Sequence, residues 1–309
     1  MRHLPYIGSG PYCYANSFAM MFGEHAPSTA VIEFATGSPF GMQMLGGALP
    51  LFDPHGWNPD AGFDGALAAL GWRSDRSCGG SAGEALERLH DALAHGPAWI
   101  GPVEMGYFRH QPGMTGPIQA DHYVVALAIE DGCVLMHDPQ GFPYATLPLA
   151  DFMAAWAADT VDYGAPYTLR TGFTRVSAVS ETEAIRAALP AAARWLAMDP
   201  QRPVPAGTLG NADAAEALAD RLLDGCDDAL RMHLIHFAVR VGARRASDAA
   251  ACLARAGCPQ AAAVAAEQAR YIGALQHPLV TRRDASAAQC LRRLAPTYSR
   301  LLAALRAES

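Results

Sequence analysis

A cysteine lies where a glycine-proline loop gives way to an apolar run. Residues 10–21 read Gly-Pro-Tyr-Cys-Tyr-Ala-Asn-Ser-Phe-Ala-Met-Met, so helix breakers stand just before Cys13 and apolar side chains follow it. This pattern predicts a helix that begins at the cysteine. Much later, His122 opens a strand-like stretch and Asp138 closes the next one. A fold that joins the three must set a helix start beside two neighbouring strands.

These residue types fit nucleophilic chemistry on an acyl group. The thiolate is the reactive form of cysteine, and both a helix amino terminus and a nearby imidazolium lower a thiol pKa. A carboxylate on the far side of the imidazole fixes its tautomer and orientation. We therefore predict Cys13 as nucleophile, His122 as base and Asp138 as its orienting partner. The alternatives are a small buried cysteine, a core histidine and an ordinary Asp-Pro-Gln-Gly turn.

The spacing of His122 and Asp138 depends on the turn between their strands. A two-residue turn at Asp131-Gly132 would set Asp138 opposite Val125, on the other face from His122. A three-residue loop with left-handed Gly132 would set Asp138 opposite Val124, on the histidine's face. Three-residue loops commonly end in such a glycine. We therefore predict a glycine bulge at Gly132.

The amino-terminal half resembles the family of the butirosin biosynthesis protein H amino-terminal domain, which is related to C39-like papain-like cysteine peptidases. The resemblance spans about residues 10–175, a little over half of the chain. The stretches that carry it are Tyr-Cys-Tyr-Ala-Asn-Ser at 12–17, Gly-Pro-Val-Glu-Met-Gly at 101–106, Asp-His-Tyr-Val-Val at 121–125 and His-Asp-Pro-Gln-Gly at 137–141.

The resemblance implies acyl transfer from an acyl carrier protein thioester, through acyl-Cys13, to a small amine. It implies no cofactor except the phosphopantetheine of the carrier. Papain-like enzymes usually place a glutamine shortly before the cysteine, where its side chain helps to form the oxyanion hole, and residues 4–10 contain none. Losing one such donor costs about 2.7–4 kcal/mol. Ser9 and Asn16 are candidate replacements, and a thioester donor tolerates the loss better than an amide.

Other candidate residues follow the predicted strand at 98–105. Glu104, Tyr107 and Arg109 are predicted to bind substrate. Arg109 is the strongest of these candidates, because a guanidinium can hold a carboxylate with two hydrogen bonds. His110-Gln111-Pro112-Gly113 is predicted to begin a mobile surface loop. The acids and histidine at 53, 55 and 60 have a weakly specific spacing, and no metal site is predicted.

Composition fits a globular chain without a membrane span. Hydrophobic residues make up 51% and charged residues 17% of the 309 residues. The first residues lack the apolar region of a signal peptide, and the seven scattered cysteines suggest neither disulfides nor zinc. We therefore expect a cytoplasmic protein. All 23 basic residues are arginine, so a Schiff-base lysine and a P-loop lysine are excluded.

The pattern changes near residue 178, so we predict an α+β, papain-like domain over 1–178 and an all-α domain over 179–309. In the first domain a cysteine helix packs on a mostly antiparallel sheet. Its predicted strands are 98–105, 123–129, 134–137 and 167–176, and its later helices are 83–94 and 149–158. The second domain has predicted helices at 181–198, 211–224, 226–242, 246–256, 259–275 and 284–306.

Charge is divided unevenly between the two predicted domains. Residues 1–178 contain 7 Arg and 17 acids, whereas residues 179–309 contain 16 Arg and 13 acids. The arginine pairs Arg244-Arg245 and Arg292-Arg293 are candidate docking sites for an acidic carrier protein, and ordinary solvated helix faces are the alternative. Nucleic acid is disfavoured by the negative total. The function predicted is an acyltransferase of specialised metabolism; a cysteine peptidase or hydrolase and a vestigial binding module are the alternatives.

Overall fold

The computed structural model describes residues 11–200 and 202–308. Over these residues the helices are α1 (Cys13–Phe22), α2 (Thr29–Ala35), α3 (Pro59–Ala69), α4 (Ala82–His95), α5 (Leu149–Ala157), α6 (Glu181–Leu196), α7 (Asn211–Gly225), α8 (Asp228–His233), α9 (Val239–Ala256), α10 (Pro259–Ala274), α11 (Gln276–Val280) and α12 (Asp284–Glu308). The strands are β1 (Gln43–Leu45), β2 (Leu49–Leu51), β3 (Trp72–Ser77), β4 (Ala98–Glu104), β5 (Asp121–Glu130), β6 (Cys133–Asp138), β7 (Phe142–Pro148), β8 (Leu169–Arg175) and β9 (Leu209–Gly210).

The chain divides into two compact units, and one segment lies on the unexpected side. The first unit holds the chain from α1 to Thr29 and then Trp72–Ser177, whereas the second holds Ala30–Gly71 and the chain from Ala178 onward. The boundary between Ser177 and Ala178 lies one residue before the predicted one. Residues 30–71 belong with the helical unit, so the predicted uninterrupted domain over 1–178 is corrected for that segment.

The first unit is built on a six-stranded antiparallel sheet with the order β3-β8-β4-β5-β6-β7. Because successive side chains of a strand point to opposite faces, β5 supplies two cores. Val125 and Leu127 pack against Met20 of α1. On the other face, Val124 joins a core with Leu89 of α4 and neighbouring α5 side chains. The fold is therefore α+β with an antiparallel sheet, as predicted.

Stacked aromatic rings hold α1 against the sheet. Phe18 of α1 lies 4.8 Å from the ring of Trp99 in β4, and that indole lies 4.9 Å from the ring of Tyr123 in β5. All three side chains are buried. Aromatic pairs at such distances add about 0.5–1.5 kcal/mol beyond area burial. The first residue of α1, Cys13, is thereby fixed relative to β5.

The second unit contains the helices α6 to α12, and their boundaries follow the predicted periodicity closely. The capping box predicted at Ser180 forms, with Glu183 bonding back to the serine backbone. Three features differ from the prediction. Residues 226–242 are interrupted by a π-helical turn at Leu234–Ala238, and α9 then continues unbroken through the predicted gap at 243–245. The short helix α11 was not predicted. A two-residue strand, β9, also joins the small sheet β2-β1-β9, so the prediction of an all-α domain over 179–309 is corrected for that strand.

A buried arginine in α9 ties residues 30–71 to the helices. The Arg245 Nε lies 2.7 Å from Glu33 Oε1, and its Nη1 lies 3.4 Å from Asp53 Oδ2. Its guanidinium also lies 5.4 Å from the centre of the Trp57 ring. Arg245 is only 5% exposed. Its predicted role in docking a carrier is therefore wrong, because its guanidinium forms ion pairs with two buried carboxylates inside the second unit.

We predict that Arg245→Met destabilises the second unit by about 3–5 kcal/mol, because it leaves Glu33 and Asp53 buried without their cation. The matched control is Arg244→Met, which removes a half-exposed i,i+4 pair with Asp248 and should cost under about 1 kcal/mol. Urea unfolding followed by circular dichroism measures both. Equal losses in the two variants would contradict a structural role for the buried pair.

Candidate active site

Cys13 is the first residue of α1 and is half-buried. The first turn, Cys13-Tyr14-Ala15-Asn16, carries no acidic residue. The positive end of the helix dipole is therefore not offset by a carboxylate within that turn, and this end favours a thiolate. The helix start predicted from the sequence is found at the expected residue.

His122 and Asp138 form a buried pair beside the cysteine. The His122 Nε2 lies 2.8 Å from Asp138 Oδ1, and both side chains are at most 1% exposed. Burial by itself would lower the pKa of His122, but the charge and hydrogen bond of Asp138, with a hydrogen bond and charge from Cys13, raise it from 6.5 to about 10. Because Nε2 faces Asp138, Nδ1 is the ring nitrogen left for Cys13. The three predicted residues thus form one connected group.

The strand register that permits this pairing arises differently from the prediction. The turn has two residues, Asp131 and Gly132, and both have positive φ angles of 49° and 75°. That is the pattern of the type I′ hairpin turn. The predicted bulge at Gly132 is therefore wrong. A bulge at Leu127 replaces it, since the pairing shifts by one residue between Ala126 and Ala128.

The bulge at Leu127 restores the register that the triad needs. Beyond it, Val125 pairs with His137, so continuing the ladder by one residue sets Asp138 opposite Val124. Asp138 and His122 then share a face of the sheet. An extra residue in one strand is a recognised means of redirecting side chains beside functional sites.

Asp138 accepts hydrogen bonds from three groups besides His122. His110 Nε2 lies 2.9 Å and Gln111 Nε2 lies 2.6 Å from Oδ2, and the Gln140 backbone N–H donates to Oδ1 over 2.8 Å. Burial would raise the pKa of Asp138, but the His122 charge and these donors hold it well below its usual range. Sequence reasoning missed His110 and Gln111, whose assignment to a mobile surface loop is corrected here.

A second buried carboxylate orders the loop that carries these two residues. Glu104 accepts backbone N–H bonds from Gly106, Ile118 and Gln119, each at 3.0 Å, and a short bond from the Thr160 hydroxyl. Burial alone would raise the pKa of Glu104, and these bonds lower it instead. Glu104 is 1% exposed. It is thus an anchor for residues 105–120 rather than the substrate-binding group that was predicted.

The other residues predicted to bind substrate or to donate to an oxyanion are placed as follows. Tyr107 packs against the core beneath the sheet, and Arg109 pairs with Asp151 at 3.2 Å on the surface. Asn16 is buried in α1. Ser9 lies outside the described residues.

Two of the other docking arginines are also engaged by acids. Arg244 pairs with Asp248, and Arg292, which is exposed, pairs with Asp220 and Glu216. Arg293 is exposed as well. Within residues 11–200 and 202–308 no cluster of His, Cys, Asp and Glu is arranged to hold a metal ion. The same residues include no helix both long and apolar enough to cross a membrane.

The fold and the site together define an α+β protein in which a half-buried cysteine lies beside a buried His-Asp pair. The YobF C-terminal domain family matches residues 205–306, within the helical unit. The uncharacterised protein YobF of Bacillus subtilis (strain 168) is 31% identical over 164 residues. That alignment covers 52% of this chain and 52% of the relative, so the chain spans about half the length of the curated relative it matches.

We predict a specific pH window for the His122–Asp138 pair. A histidine pKa raised to about 10 stabilises the fold fully below pH 6.5, and this stabilisation is lost as the pH rises through 10. A lowered Asp138 pKa adds stability above pH 3.8. The difference in free energy of unfolding between wild type and His122→Gln should therefore be largest between pH 3.8 and 6.5.

Two comparisons sharpen this measurement. In a Cys13→Ala background the decline should start at the same pH but end at a lower one, because Cys13 contributes to the raised pKa of folded His122. His137→Gln serves as the control, since it replaces a second buried histidine, whose Nδ1 accepts the Tyr144 N–H over 3.1 Å. A difference for His122→Gln that grows with rising pH would mean that His122 is buried neutral.

Proposed function

We propose that this protein is a papain-like cysteine acyltransferase that moves an acyl group from a thioester through Cys13 to an amine. One observation carries the proposal: a thiol at a helix start lies in hydrogen-bonding contact with an imidazole that a buried carboxylate holds at 2.8 Å. The resemblance of residues 10–175 to the butirosin biosynthesis protein H amino-terminal family supports the choice of reaction.

The proposed reaction has two displacements at one carbonyl carbon. The Cys13 thiolate forms a bond to the thioester carbonyl carbon, and the departing thiolate takes the proton of the His122 imidazolium. Neutral His122 then accepts a proton from the amine as its nitrogen attacks the acyl-cysteine, and Cys13 leaves as the thiolate. Asp138 orients the ring in both steps and stabilises its charged form.

Energetics favour transfer over hydrolysis of unactivated amides. Exchange between two thioesters is nearly isoenergetic, whereas formation of an amide from a thioester is downhill. The acyl-enzyme must be kept from water, or the same site hydrolyses it.

The carrier-protein donor is part of the proposal, with docking assigned to the exposed Arg292 and Arg293 of α12. The free thiols fit a reducing compartment, and we place the protein in the cytoplasm.

We predict that Cys13 is alkylated first by limiting iodoacetamide and stays reactive at pH 6. Burial raises the pKa of Cys226, Cys252, Cys258 and Cys290, so these thiols should react slowly. The exposed Cys78 is the internal reference, because the reagent reaches it without any opening of the fold. Peptide mapping gives the order, and an inert Cys13 would contradict the proposal.

We predict that wild type forms an acyl adduct on Cys13 with a thioester and passes it to an added amine. Intact mass spectrometry with N-acetylcysteamine and carrier-bound thioesters measures the first step, and product mass measures the second. Cys13→Ala should abolish both, whereas Cys133→Ala, which removes another half-buried thiol, should change neither. Release of free acid with every amine tested would favour the hydrolase alternative.

A further inference from the structure

One polar side chain of α1 has no partner for its donors. Asn16 is 2% exposed, and across the part of the chain that the structure describes its Nδ2 has no hydrogen-bond acceptor. Leaving a buried amide unsatisfied costs about 1–3 kcal/mol. The adjacent Ser17 is equally buried, yet its hydroxyl donates to the Tyr123 carbonyl at 3.3 Å. The described residues therefore supply an acceptor for the Ser17 hydroxyl but none for the Asn16 amide.

The position of Asn16 relates it to the cysteine. The two residues are three apart in α1, so they are neighbours on one side of the helix, with Cβ atoms about 5–6 Å apart. Helical side chains also lean toward the amino terminus, over the preceding turn. The preceding turn here is the one that begins with Cys13. Helix geometry therefore places the unsatisfied amide on the side of α1 that carries the thiol.

A carbonyl under attack by Cys13 needs such a donor. When the Cys13 sulfur bonds to the carbonyl carbon, the π electron pair moves onto the oxygen, which gains a negative charge. When the intermediate collapses, that pair re-forms the C=O bond and the leaving group departs with its electrons. N–H groups about 2.7–3.1 Å from the charged oxygen stabilise the intermediate. The glutamine that usually supplies one is absent from residues 4–10.

We propose that the Nδ2–H of Asn16 is the side-chain oxyanion donor of this site, and that the acyl carbonyl oxygen is its missing acceptor. This inference rests on the proposed acyl chemistry at Cys13. It makes Asn16 a catalytic residue whose hydrogen bond forms as the oxygen becomes charged. Such a bond strengthens from substrate to transition state, and it therefore raises the rate of acylation.

Two reactions at the same thiol separate this role from a structural one. Iodoacetamide alkylates sulfur at an sp³ carbon and creates no oxyanion, whereas p-nitrophenyl acetate acylates it through one. Asn16→Ala should slow the p-nitrophenol burst about 100- to 1000-fold, which is the loss typical of a removed oxyanion donor. Alkylation of Cys13 should stay within about threefold of wild type, because the thiolate and His122 are untouched.

Controls keep the outcomes distinct. Asn16→Leu removes the donor at similar volume and stands in if Asn16→Ala fails to fold. Ser17→Ala, at the neighbouring buried position, should leave the ratio of the two rates unchanged. Equal slowing of both reactions, or of neither, in the Asn16 variants would overturn the inference alone. A wild type that is alkylated at Cys13 but gives no burst would overturn the proposed function with it.

Discussion

The site depends on the carboxylate of Asp138. Four donors from three parts of the chain meet on its two oxygens, namely His122, His110, Gln111 and the Gln140 N–H. A buried carboxylate is stable in its charged form only when it is surrounded in this way. Its charge keeps His122 protonated, and the imidazolium in turn favours a thiolate at Cys13. Loss of Asp138 would therefore remove the basis of the whole arrangement rather than one contact.

The hydrogen bonds of Asp138 depend on a second buried carboxylate, that of Glu104. Glu104 gathers the N–H groups of Gly106, Ile118 and Gln119 and so closes the loop that starts and ends at neighbouring strands. That closure delivers His110 and Gln111 to Asp138. The order of dependence runs from an anchored loop, through an oriented carboxylate, to a charged histidine. Glu104, His122 and Asp138 are each at most 1% exposed, so water weakens the bonds at these three side chains little.

The sequence predicted the elements that carry the triad, but it missed β3 and β7 of the main sheet and α2, α3 and α11. It predicted the connections less well. The start of α1 at Cys13 and the strands that carry His122 and Asp138 follow from local breakers and apolar periodicity, which are local properties. The bulge at Leu127 does not, because Leu127 resembles its neighbours and only the two-residue turn at Asp131-Gly132 requires an extra residue elsewhere. The roles of His110 and Gln111 were equally hidden, since a loop rich in Gly and Pro carries no signal for a partner 27 residues away.

Local sequence patterns also fail to show that residues 30–71 belong to the second unit, because a contact between residues far apart in the chain holds them there. Arg245 reads as one of a surface pair, yet it lies against Glu33 and Asp53, about two hundred residues earlier. Within the site, the contrast between Asp138 and Asn16 is instructive. Both carboxylate oxygens of Asp138 accept hydrogen bonds, whereas within residues 11–200 and 202–308 the Asn16 Nδ2 has no acceptor. This contrast agrees with the two proposed roles, since an orienting carboxylate is needed throughout a reaction and an oxyanion donor only when charge develops.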